Sequence, residues 1–147
     1  SSTFLRGDGS WASTGGGSDI YIMGYTDLRG NSTAKFIGLV GGSGTTSTNL
    51  GSQMAAGCNF IAPVAGNLDS VRIVVETSWG SSCSIKVYVN NSLVRSITQS
   101  LTSTGSGNDY NVTLDADAAA GDTVTVKVDP SSSSPQAASW TFKYTPD

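Results

Sequence analysis

The sequence predicts an all-β chain, an antiparallel β-sandwich preceded by an extended N-terminal arm, and three observations predict it. Apolar and polar residues alternate in several short runs, as strands with one buried face require. Gly, Ser, Asn and Pro punctuate those runs at turn-like spacing. No stretch repeats its apolar residues at the 3.6-residue period of a helix; the nearest, Ala116–Ala120, is too short and ends at Gly121.

Residues 1–18 show no sustained period and include Gly15-Gly16-Gly17, so they read as an arm or linker leading into a head domain at 19–147. The first run of the head, Ile20–Tyr25, is apolar on both faces. Ile20 and Ile22 fall on one side, and Tyr21, Met23 and Tyr25 on the other. One face is expected to pack the core and the other to meet a neighbour. Shorter candidates follow at Lys35–Val40 and Met54–Ala62.

The clearest strands lie further on. DSVRIVVE aligns Val71, Ile73 and Val75 against Arg72 and Glu76. SIKVYV points Ile85, Val87 and Val89 inward, and Asn90-Asn91 then supplies hairpin chemistry before Leu93–Thr98, because Asn tolerates φ > 0. Tyr110–Leu114 comes next. TVTVKV sets Val124, Val126 and Val128 against Thr123, Thr125 and Lys127, and WTFKY sets Trp140, Phe142 and Tyr144 against Thr141 and Lys143. About nine short strands at this spacing indicate a sandwich or jelly roll. Four polar loops separate them: Gly41–Gly51, Thr77–Ser82, Gln99–Asp109 and Asp129–Gln136. Loops gathered at the ends of a sandwich are where recognition tends to sit.

Composition narrows the function. The 147 residues fit one domain, and 13% charged residues is about half the usual share of roughly 25%. Net charge is −3, and Lys and Arg are scattered singly, which argues against nucleic acid as a partner. No apolar run approaches the ~20 residues of a membrane span, so no membrane insertion is expected. The N-terminus lacks the charged-then-apolar layout of a signal peptide.

The chemistry of catalysis is sparse. There is no histidine, which removes the commonest general base and metal ligand. Glu76 is the only Glu, so a facing carboxylate pair of the glycosidase kind is not expected. The glycine strings lack the context of a phosphate-binding loop. An enzyme, a cofactor and a bound metal are therefore not expected. Asp115, Asp117 and Asp122 cluster near a turn and read either as a calcium site or as solvated turn residues, the second being favoured. Cys58 and Cys83 read either as one disulfide or as two small buried hydrophobes, and the chain's size favours the second. Asn31, Asn90 and Asn111 start N-x-Ser/Thr triplets that chance explains in so Asn-, Ser- and Thr-rich a chain. Arg6-Gly7-Asp8 reads as part of a glycine-rich turn rather than an adhesion motif.

Candidate recognition residues come from the loops. Trp79, between Ser78 and Gly80, either stacks on a sugar ring or folds back to cap the end of the sandwich. Asn108, Asp109 and Tyr110 open a strand at the end of a polar loop and are further candidates for receptor contact.

The segment Phe4-Leu5-Arg6-Gly7-Asp8-Gly9-Ser10-Trp11 resembles a short motif of bacteriophage tail-fibre and related virion proteins, found there just ahead of the terminal domain. The rest of the chain resembles the TNF-like jelly-roll head of such fibres, through FIAPVAGNLDSVRIVVE, KVYVNNSLV, AAGDTVTVKV and WTFKY. The resemblance implies a homotrimer assembled in a host cytoplasm and displayed on a virion. It also implies attachment to other virion proteins through an arm carrying Phe4, Leu5, Arg6, Gly7, Asp8, Gly9 and Trp11, and adhesion to a host-surface glycan or other receptor. Tyr21, Met23 and Tyr25 are then the candidate trimer-interface residues. The chain shows no long fibrous stalk, which leaves open a capsid or neck decoration protein. A carbohydrate-binding module of a secreted bacterial protein is a further alternative.

Overall fold

The computed structural model describes residues 3–5, 11–13, 18–26, 35–37, 59–102, 109–132, 135 and 137–147. Among them the chain forms eleven strands and no helix: β1 (Thr3–Leu5), β2 (Trp11–Ser13), β3 (Ile20–Thr26), β4 (Lys35–Ile37), β5 (Asn59–Ile61), β6 (Gly66–Val75), β7 (Gly80–Val89), β8 (Ser92–Leu101), β9 (Asp109–Ala118), β10 (Thr123–Asp129) and β11 (Ala138–Pro146). Every pairing is antiparallel.

The strands make an antiparallel β-sandwich. One sheet runs β3-β11-β6-β9; the other runs β4-β10-β7-β8, with β5 also paired to β10. From β5 to β11 the chain crosses between the sheets at each connection except the β7–β8 hairpin. The predicted alternation holds through the best strands. Val71, Ile73 and Val75 of β6, Val124, Val126 and Val128 of β10, and Trp140, Phe142 and Tyr144 of β11 all face a common dry core. The Tyr144 hydroxyl satisfies itself inside that core by donating to the Val64 carbonyl at 2.7 Å, and the ring meets Phe60 edge-on at 5.3 Å.

Two differences from the sequence reading have local causes. The arm contributes a separate two-stranded ladder, in which Phe4 pairs with Ala12 and Leu5 with Trp11; strands of three residues are too short for alternation to reveal. β9 runs on through Ala118, past the expected end at Leu114. Its second half reads Asp-Ala-Asp-Ala, a period of two carried by small residues, and Ala116 and Ala118 are buried. The register slips there opposite β6, and Asp115 takes φ of 51°, the extra residue of a bulge.

The hairpin expected at Asn90-Asn91 is present, with φ of 48° and 68° at the two residues, as a two-residue primed turn demands. Asn90 also ties this turn to the next, donating to Asp122 at 2.7 Å and accepting from the Thr123 amide at 3.0 Å. Asp122 caps the Ala119 amide at 2.8 Å, and these two hydrogen bonds, the Asn90 one foremost, hold its carboxyl below the ordinary range. Asp115 and Asp117 both accept from the Asn67 amide, and Asp115 also receives the Arg95 guanidinium. Asp115 and Asp117 thus share the Asn67 amide, while Asp122 serves the turn at Asn90. Cys83 is an unbridged, buried thiol, pushed up to about 12 by burial; Cys58 lies outside the described residues.

Candidate interaction face and loop end

The outer face of the β3-β11-β6-β9 sheet is a grid fixed by register. Tyr25, Ser139, Val74 and Asp109 form one row across the four strands. Met23, Thr141, Arg72 and Asn111 form the next, and Tyr21, Lys143, Ser70 and Thr113 the third. Ser139, Thr141 and Ser70 put short side chains among Lys143, Arg72 and Val74 on the two middle strands. One hollow of about 520 Å³ is lined by Tyr21, Ser70, Arg72, Asp109, Asn111, Thr141 and Lys143. A second, of about 440 Å³, lies over Met23, Gly24, Arg72, Val74, Ser139 and Thr141.

The apolar side chains on this face are open to water: Tyr21 is 59% exposed, Met23 70% and Val74 44%. Isolated apolar residues on a surface need no explanation, but three on one sheet face are a patch. Of the expected interface residues, Tyr21 and Met23 point outward; Tyr25 shares their face by register, and its side chain lies outside the described set.

The charges on the face are paired. The Arg72 Nε lies 2.9 Å from each Asp109 carboxylate oxygen, and Nη2 donates to Oδ2 as well. This hydrogen-bonded pairing holds Asp109 below the usual carboxylate range and lifts Arg72. Lys143 reaches Asp69 at 3.1 Å and Asp19 at 3.3 Å, and these hydrogen bonds, the one to Asp69 foremost, raise it. Asp19 also accepts from the Thr145 hydroxyl at 3.1 Å, so the chain enters β3 beside the last residues of β11.

Three of the four polar loops meet at the opposite end. The Trp79 amide donates to the Leu101 carbonyl at 2.8 Å, and the Trp79 carbonyl accepts from the Ser131 and Ser132 amides at 2.9 and 3.0 Å. One residue thereby joins the segments at 77–82, 99–109 and 129–136. Gly80 follows it with φ of 105°, and a Cβ there would stand 2.1 Å from the Ser131 hydroxyl. The fourth loop, Gly41–Gly51, lies outside the described residues.

This geometry corrects the sugar-stacking expectation for Trp79. Its ring is 1% exposed and belongs to the core, so neither face is free to stack. The reason is spatial: with three chain segments converging on its backbone, the indole is the plug between the sheets. Tyr110 also turns inward, half-buried against the core, with its hydroxyl donating to the Thr102 carbonyl. Asp109 faces outward, on the sheet face with Arg72 rather than among the loops. Asn108 lies outside the described residues, as do Arg6, Gly7, Asp8 and Gly9; of Phe4, Leu5 and Trp11 the backbone ladder alone is described. Sequence reading did not assemble Arg72, Lys143, Ser70, Thr141 and Asn111 into one surface. Alternation marks each as outward, but nothing in the sequence makes β11 the neighbour of both β3 and β6.

No family model, curated protein or solved structure matches the chain.

Proposed function

We propose that the chain is the head of a phage virion fibre or knob, a homotrimer that adheres to a host-surface glycan or other receptor and is held to other virion proteins by its N-terminal arm. The observation that carries the reading is the open outer face of β3-β11-β6-β9, with Tyr21 and Met23 at 59% and 70% exposure. A monomer leaves that patch in water; copies packed around a threefold axis bury it. The strand order supports the jelly-roll, TNF-like reading of the head, because the chain passes back and forth between two layers, with β11 interior to one and β10 to the other. The FLRGDGSW segment ahead of the head supports placement on a virion. The role is binding and assembly rather than catalysis.

Light scattering on the full chain at micromolar concentration tests the reading. A trimer is expected, and Met23→Glu is expected to give a folded monomer; a wild-type monomer refutes it. A capsid or neck decoration protein would share the trimer and differ in location, so labelling intact particles separates the two. The carbohydrate-module alternative loses its proposed stacking residue with the burial of Trp79.

A further inference from the structure

We propose that Arg95 is an edge guard: its grip on Asp115 keeps β8 from pairing, backbone to backbone, with the β8 of a second copy. The proposal concerns a strand of the other sheet and does not rest on the trimer.

β8 ends one sheet and β9 ends the other, and neither pairs with a further strand among the described residues. The two edges run side by side, and side chains span the gap between them at two places. Near the loop that joins the strands, the Tyr110 hydroxyl donates to the Thr102 carbonyl. Toward the other end, Arg95 Nε donates to the Asp115 carbonyl at 2.7 Å, while Nη2 meets the Asp115 carboxylate. Both partners of this second clasp sit at irregularities in their strands. Val87 pairs with Arg95 and Tyr88 with Leu93, so Val94 is an extra residue in β8, and Asp115 is the extra residue of the β9 bulge. A bulge breaks the ladder and re-aims a side chain. Here two bulges face each other through one arginine.

An edge strand presents unpaired amides and carbonyls that another chain can use, and length, exposed apolar side chains and low charge increase the hazard. β8 combines all three: it has ten residues, Leu93 and Val94 are 53% and 45% exposed, and Arg95 is its one charged residue. β9 carries Asp109, Asp115 and Asp117, so of these two edges it is β8 that depends on a single group. A second copy is the fitting occupant, because an antiparallel β8–β8 pair is self-complementary about a twofold axis and joins two sheets into one. Arg95 opposes that pair in two ways. Its guanidinium occupies the gap that a new strand must enter, and a twofold pair would bring two like charges to one seam.

The clasp is not needed for folding. The Arg95 and Asp115 side chains are 43% and 60% exposed, and a pair so open to water adds little to stability. Losing it therefore separates guarding the edge from holding the sandwich together.

The test is light scattering of the full chain over a micromolar concentration series, with thermal melts followed by near-ultraviolet circular dichroism of the buried Trp79 and Trp140. Arg95→Ala is expected to melt within about 4 °C of wild type. It should also form species of at least about twice the wild-type mass that grow with concentration. Arg95→Gln, which keeps part of the side chain's bulk without its charge, should do the same and serves where the Ala variant fails to fold. Adding Val94→Lys to Arg95→Ala restores an edge charge and should return the mass to the wild-type value. Variants that keep the wild-type mass at every concentration, or association that Val94→Lys leaves untouched, overturn the proposal. A wild-type monomer refutes the trimer and leaves this comparison intact, because each variant is read against wild type.

Discussion

Replacing Trp79 with Ala measures whether this residue is a structural plug or a ligand contact. The indole is 1% exposed, and a side chain of its class buries about 150–250 Å². At about 25 cal/mol per Å² that is at most about 4–6 kcal/mol, an upper bound because unfolded chains already bury part of it. Core Trp→Ala replacements cost about 3–5 kcal/mol. The hydrogen bonds to Leu101, Ser131 and Ser132 use the backbone of residue 79, so they survive the truncation. The expected loss is therefore about 4 kcal/mol, which is most of the stability of many domains. For 147 residues it corresponds to a fall in Tm of roughly 8–16 °C. Urea unfolding followed through the remaining tryptophans, with the slope m compared between variants, supplies the number. A loss below about 1 kcal/mol at unchanged m would refute the packing argument and return Trp79 to the surface as a binding residue.

Two further outcomes test the same core and its loop end. Gly80→Ala should destabilise by about 2 kcal/mol or more in the same urea experiment, since φ of 105° is strained for a side chain and the new Cβ would stand 2.1 Å from the Ser131 hydroxyl; a neutral effect would mean the three loops are not locked together. Cys83, buried and pushed up to about 12, should react with iodoacetamide at pH 8 at least roughly a hundredfold more slowly in the native chain than in urea, read by mass spectrometry of its peptide.

What was legible in the sequence is what local pattern controls. Val124, Val126 and Val128 declare a strand because a period of two has no other use, and Asn90-Asn91 declares a turn because few residues accept φ > 0 twice in succession. The inward set of β6 and β11 and the outward Tyr21 and Met23 followed from the same logic. Three things were not legible, each for a physical reason. Strand order is a long-range property, so the meeting of Arg72 with Asp109, or of Lys143 with Asp69 and Asp19, has no local signature. A Trp in a Ser- and Gly-rich stretch carries the same sequence whether it points out or in, and for Trp79 convergence of three segments decides. The ladder of β1 and β2 is specified by only three residues a side, below the length at which alternation becomes a signal.

The position of Asp19 has a mechanical consequence. Asp19 leads into β3 at the end of the sandwich occupied by Thr145 and the last residues of β11, and the Trp79-centred loops lie at the other end. A load taken up by those loops and resisted through the arm therefore runs along β3, parallel to its axis. The seven register pairs between β3 and β11, from Ile20–Tyr144 to Thr26–Ala138, share that force together in shear. A pull between Asp19 and Pro146 would instead start at one end and open the pairs in succession, like a zipper. The same two strands are thus strong against a tug from the far end of the head and weak against one that separates their neighbouring tips.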